Sequence, residues 1–313
     1  MRLRWARRCC LAVVGVCGLV LSLALTGCEG GESAHARPPQ PTTKVGTPTP
    51  VSDPEPPVCT TLGGCQLRFA EATAYVGRQP GRLGVVVRDR QTGQSWSAGA
   101  TDRKIWTASS IKLAMATDML ERDRSRVAVL PASDKALMAA MLNSSDNAAT
   151  MALWKKYGND AQVARWRTRF GMTHVGFVPG FPSNWGYMKA STRDFAALVS
   201  YVLDNAAVQI RDYLVSAMQG VAANQRWGIW AAGPDEHPGN KDGWSYEADD
   251  GGHNWITNTV GFAGPQQRYV LAVMYQLPPS GTLAQGVHAV SDLVALLFGR
   301  PVPTTVTVPE PDG

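Results

Sequence analysis

Thr107-Ala108-Ser109-Ser110-Ile111-Lys112 is the stretch on which the reading of this chain turns. It leads into an apolar segment with Leu113, Met115 and Met119, so it reads as a helix start with Ser109 in or beside the first turn. Residues three apart on a helix are neighbours, which brings the Lys112 amine within reach of the Ser109 hydroxyl. The positive end of the helix favours a developing alkoxide. A lysine desolvated against such a site can lose its proton near neutral pH and act as a base. Serine and neutral lysine together suffice to make a nucleophile. A lone Ser-x-x-Lys is nevertheless common, so the pair needs support from the rest of the chain.

Two further segments supply it. Ser145-Asp146-Asn147 stands at the start of another helical segment, and Asn240-Lys241-Asp242-Gly243-Trp244 comes just before a strand-rich C-terminal part. The order Ser-x-x-Lys, Ser-Asp-Asn, Lys-x-Gly resembles the triple signature of serine β-lactamases and penicillin-binding proteins. Within that group the chain resembles the class A β-lactamase-like branch. Gly81-Arg82-Leu83-Gly84-Val85 resembles that family's first strand, and Gln225-Arg226-Trp227-Gly228-Ile229 resembles the segment before its Lys-Thr-Gly strand.

The resemblance implies an acyl-enzyme formed at Ser109 with a β-lactam or a peptidoglycan peptide. Lys112 would take the serine proton and Ser145 would pass a proton to the leaving amine. Asn147 would hold the substrate's amide side chain. Lys241 would attract a substrate carboxylate, on a binding strand that continues through Asp242, Gly243 and Trp244. The backbone N–H groups of Ser109 and Trp244 would form the oxyanion hole, and Asp146 would be structural. No cofactor is implied.

Two departures stand out. Class A enzymes hydrolyse the acyl-enzyme with a Glu on the loop after the Ser-Asp-Asn helix, whereas Gly171 to Ala190 holds no Asp or Glu and offers only His174 as a base. Asp242 also stands where the family commonly has Thr or Ser. A carboxylate there would repel an anionic substrate, neutralise Lys241, or face away from the cleft. Glu247-Ala248-Asp249-Asp250-Gly251-Gly252 reads as a solvated hairpin tip.

The fold class expected is α/β (α+β), with an antiparallel sheet assembled from both chain ends and a helical lobe packed against it. At the front, apolar residues from Leu83 to Val87 and Ser95-Trp96-Ser97 flank a Thr92-Gly93 turn. At the back, strand-like runs from Thr257 to Phe262 and from Arg268 to Tyr275 are split by Gly264-Pro265, and a helical pattern follows from Gln285 to Phe298. Between them the clearest helix follows Ser191, with Asp194 three residues on as an imperfect capping box.

The N-terminus reads as an export address. Arg2, Arg4, Arg7 and Arg8 precede an apolar run from Cys9 to Leu25, as in a secretory signal peptide covering residues 1–27. Arg7-Arg8 leaves a twin-arginine route open beside the general one. Leu25-Thr26-Gly27-Cys28 resembles the lipobox of bacterial lipoproteins, which would lipidate Cys28 and hold the protein at the extracytoplasmic face of the cell membrane. Residues 28–57 read as a Pro/Thr-rich tether, 58–300 as the folded domain and 301–313 as a flexible tail. Cys59 and Cys65, the two cysteines left after the lipid site, are expected to form a disulfide.

Removal of the signal takes four arginines and no acid, so the formal charge falls from +5 to +1. The basic balance is mostly targeting, which argues against a nucleic-acid partner. The five His show no metal-ligand spacing, so no metal site is expected, and a monomer is expected. Two other readings stay open beside the hydrolase: a non-catalytic binding or sensing lipoprotein, and a D,D-carboxypeptidase with the same chemistry.

Overall fold

The computed structural model describes residues 67–158, 160–249 and 251–311. Cys28, Cys59 and Cys65, with the signal and tether readings, lie outside the described residues. In chain order the elements are α1 (Phe69–Arg78), β1 (Arg82–Asp89), β2 (Ser95–Gly99), β3 (Ile105–Trp106), α2 (Lys112–Arg124), α3 (Ala132–Asn143), α4 (Asn147–Tyr157) and α5 (Asp160–Arg169). There follow β4 (Gly176–Phe177), β5 (Met188–Ala190), α6 (Thr192–Asp204), α7 (Val208–Gln219), β6 (Gly239–Asp249), β7 (Gly252–Ala263), β8 (Tyr269–Gln276) and α8 (Leu283–Leu297).

An antiparallel sheet runs in the order β2-β1-β8-β7-β6, so the first hairpin pairs with the last strand across most of the chain. The expected α+β architecture, a sheet from both chain ends with helices between, is the one found. Central strand β8 is buried along its whole length because both faces are covered. Its Val270, Ala272 and Met274 enter a core shared with the helical lobe, while Leu271, Val273 and Tyr275 enter a second core under α1 and α8. That two-sided burial explains why β8 reads as a continuous apolar run rather than an alternating one. β1 splits in the same way, Val86 to the lobe side and Val85 and Val87 to the other. Each large apolar side chain so buried contributes about 1.5–3 kcal/mol.

The capping box at α6 is complete: Ser191 Oγ accepts from the Asp194 N–H at 3.1 Å, and the Asp194 carboxylate accepts from the Ser191 N–H at 3.0 Å. Asp does here what Glu does in the usual pattern.

Two expectations need correction. The Lys241 binding strand is the sheet's edge strand β6, and it runs on to Asp249, so most of the expected solvated hairpin tip is strand. Residues 301–311 are not a free tail. Thr304 is held by Asp292, its N–H and hydroxyl 2.7 and 2.8 Å from Oδ1, Val306 and Val308 pack on the second core, and Pro309 is buried. The β-branched and Pro residues that suggested a linker form an extended strap with apolar contacts.

Candidate active site

A 3₁₀ turn, Ala108–Ile111, carries Ser109 and passes directly into α2, whose first residue is Lys112. The backbone before it is pinned from the sheet. Asn258 Nδ2 on β7 donates to the Trp106 and Thr107 carbonyls at 3.0 and 3.1 Å, and the Thr107 N–H donates to the Met188 carbonyl on β5 at 3.0 Å. Ala108 (φ 45°) and Ser145 (φ 64°) both lie in the left-handed region without being glycine. Such residues cost about 1–3 kcal/mol each and cluster at functional sites.

Ser109, Ser145, Asn147 and Trp244 line one cleft of about 340 Å³ between the helical lobe and the β6 edge. The two lysines are buried behind Ser145. Lys112 Nζ donates to Ser145 Oγ at 3.0 Å, to the Ser145 carbonyl at 2.7 Å and to Asn147 Oδ1 at 2.7 Å. Lys241 Nζ lies 3.0 Å from Ser145 Oγ, 3.0 Å from Gln225 Oε1 and 2.8 Å from the Asp242 carbonyl. Burial, then the Lys241 charge, lowers the Lys112 pKa to about 6 against the smaller pull of Asp146. Burial lowers Lys241 to about 7, opposed by Asp242. Asp146 caps α4, its carboxylate accepting from the Ala149 N–H at 2.8 Å.

Alternation along β6 separates its residues. Lys241 and Gly243 face the lobe. A Cβ on Gly243 would stand 2.6 Å from the Ser110 nitrogen and 2.8 Å from the Ser109 nitrogen, so only glycine lets the strand come this close to the serine turn. Asp242 points to the opposite face and is fully buried, with Asn240 Nδ2 donating to its Oδ1 at 2.6 Å. Of the three roles open to it in sequence, repelling a substrate does not fit this placement: the carboxylate faces away from the cleft, while its charge still acts on Lys241. Burial pushes its carboxyl pKa well up, offset in part by Thr259, Lys241, Asn240 and the Trp227 backbone.

Solved structures with this arrangement of elements include the class A β-lactamase from Mycobacterium abscessus (TM-score 0.59, 16% identity, 74% of this chain and 97% of that one). PBP-A matches with TM-score 0.60 at 19% identity over 74% of this chain and 94% of its own. The TLA-3 extended-spectrum β-lactamase gives 0.61 at 13%, covering 74% and 96%. The chain has the class A β-lactamase-like fold. No family model matches. Among curated sequences, “Putative lipoprotein LppW” of Mycobacterium tuberculosis is 27% identical over 233 residues, 72% of each chain.

Within this β-lactamase-like fold the 171–190 loop brings Trp185 and Gly186 to the cleft but no acid. His174 is not among the cleft residues. Its Nδ1 lies 3.2 Å from Ser191 Oγ and 3.7 Å from Asp194 Oδ1, at the start of α6. The wall residues that the sequence did not mark include Trp185, Ser245, Tyr246, Glu247 and Pro311. Period-2 counting from Lys241 finds Glu247 once β6 is known to be long. Nothing local in the sequence marks Pro311, which arrives only because the strap packs back on Trp244, whose Nε1 donates to the Glu310 carbonyl at 2.9 Å.

Proposed function

We propose that this protein is an envelope serine acyltransferase or hydrolase, lipid-anchored at Cys28, that forms an acyl-enzyme at Ser109 with a β-lactam or a peptidoglycan-like amide. The observation that carries this reading is the Lys112–Ser145–Lys241 hydrogen-bonded chain at the cleft that Ser109 also lines, with both amines buried and their pKa values lowered by that burial.

Neutral Lys112 accepts the Ser109 proton as Oγ attacks the carbonyl carbon. The tetrahedral oxyanion is held by backbone N–H groups, each such donor worth about 3–4 kcal/mol. Collapse breaks the C–N bond while a proton passes through Ser145 to the leaving nitrogen. Protonated Lys241 attracts the substrate carboxylate at the same end of the cleft. Lacking an acid on the 171–190 loop, the acyl-enzyme turns over slowly.

Intact-protein mass spectrometry with benzylpenicillin, run beside a Ser109→Ala control, tests the reading. A persistent adduct on the wild type alone supports a penicillin-binding protein, and one that forms and disappears supports a lactamase. No adduct, or one that survives Ser109→Ala, overturns the acylation proposal and leaves the binding or sensing role. Release of D-alanine from a muramyl peptide would mark a D,D-carboxypeptidase.

A further inference from the structure

The buried Lys241 amine stands behind Ser145, and farther along β6 the wall of the cleft carries the Glu247 carboxylate. Lys241 and Gly243 face the serine from β6, and counting on by twos along the strand reaches Ser245 and Glu247, both of which line the same cleft. At about 3.3 Å per residue, Glu247 stands roughly 13 Å beyond Gly243 and roughly 20 Å beyond Lys241. A substrate with its carboxylate at Lys241 and its scissile carbonyl at Ser109 therefore runs its acyl portion along β6 toward Glu247.

Glu247 is half-buried, and among the described residues no lysine or arginine forms an ion pair with it. Lys189, whose charge acts on Glu247, is taken by Asp249, its Nζ 2.9 Å from Oδ2. Desolvation raises the Glu247 pKa, against the Ser245 hydroxyl and the fields of His253 and Lys189. Trp185, Tyr246 and Trp255 line the same cleft, the Trp185 ring 4.8 Å from Lys112 Nζ and the other two packed on each other from the sheet's opposite face. A carboxylate that lines a cleft without a lysine or arginine partner is complementary to an ammonium group.

We infer that Glu247 is the specificity residue of this cleft, recognising a free ammonium group on the acyl portion of a peptide substrate, roughly 10 Å from the scissile carbonyl. The inference rests on the cleft being the substrate site proposed above. It predicts selection for amine-bearing peptides over their acylated or acidic counterparts.

Equilibrium binding separates this from the chemistry. The full-length chain carrying Ser109→Ala, in detergent, is titrated calorimetrically with Nα-acetyl-L-Lys-D-Ala-D-Ala and with its Nα,Nε-diacetyl counterpart, which differ in one positive charge. The free-amine peptide should bind about five- to tenfold more tightly. Adding Glu247→Gln should bring the ratio near one, and Glu247→Lys should invert it, with melting temperatures reporting that both variants are folded. Equal affinities in the Ser109→Ala protein, no binding of either peptide, or a preference that survives Glu247→Gln overturns the inference. The penicillin adduct needs no ammonium group, so it judges the acylation reading independently.

Discussion

Lys112 and Lys241 converge on one hydroxyl from opposite lobes, each Nζ 3.0 Å from Ser145 Oγ. Two ammonium groups so close cannot both stay charged cheaply, and burial adds to the cost. Lys112 has the lower pKa, about 6 against about 7 for Lys241. A window therefore exists in which Lys112 is neutral and Lys241 is still protonated.

The pH profile of acylation follows. Lys112 must be neutral to accept a proton, so the rate rises as pH passes upward through about 6. Lys241 must be charged to attract a carboxylate, so the rate falls as pH passes upward through about 7. The second-order rate constant for benzylpenicillin should trace a bell with its top between these values. Lys112→Ala should abolish acylation, and Lys241→Ala should lower the rate and remove the alkaline limb. A profile flat from pH 5 to 8 would show that neither amine titrates in the step.

Gly243 sets the contact between β6 and the nucleophile turn. Gly243→Ala places a methyl group 2.6–2.8 Å from two backbone nitrogens, which side-chain rotation cannot relieve. The strand must retreat, and since a displacement of about 1 Å can cost a hundredfold in rate, acylation should fall by about 10- to 100-fold. Circular dichroism should show the fold retained while time-resolved mass spectrometry shows the loss.

Asp242 is buried on the far face, so its carboxylate does not meet the substrate. An amide oxygen at the same position can accept the Asn240 hydrogen bond, so asparagine keeps both shape and contact. Asp242→Asn should keep both melting temperature and penicillin acylation near wild type. Asp242→Ala strands the Asn240 amide and should cost about 1–3 kcal/mol, read by denaturant unfolding. A large gain in acylation for Asp242→Asn would mean that the carboxylate does face the cleft.

These cases show where the sequence was informative. That Ser109, Lys112, Ser145, Asn147 and Lys241 come together could be read from short motifs that fix residue type at helix and strand spacing, and the topology does bring their segments to one place. The sheet was legible because the β1 and β8 runs are apolar and bounded by turns. The face on which Asp242 lies was not, because a fully buried edge segment has no polar alternation to give its phase. Glu247 was hidden for a related reason: its acidic, Gly-rich neighbourhood resembles a turn, and strand pairing with Asn254 overrides that local preference.

The strap after Arg300 supplies the last prediction. It covers Trp244, whose indole N–H has its partner in the Glu310 carbonyl, and it buries Pro309. Truncation after Arg300 should therefore lower stability by about 2 kcal/mol or more, a melting shift of roughly 4–8 °C for a domain of this size. The indole bond can be isolated by a cycle with Trp244→Phe. In the full chain Phe removes the donor and leaves the Glu310 carbonyl without it, whereas in the truncated chain that carbonyl is already gone. The Phe substitution should thus cost about 0.5–1.5 kcal/mol less after truncation than before it. Equal costs in the two backgrounds would mean that the strap lies over Trp244 without being held by it.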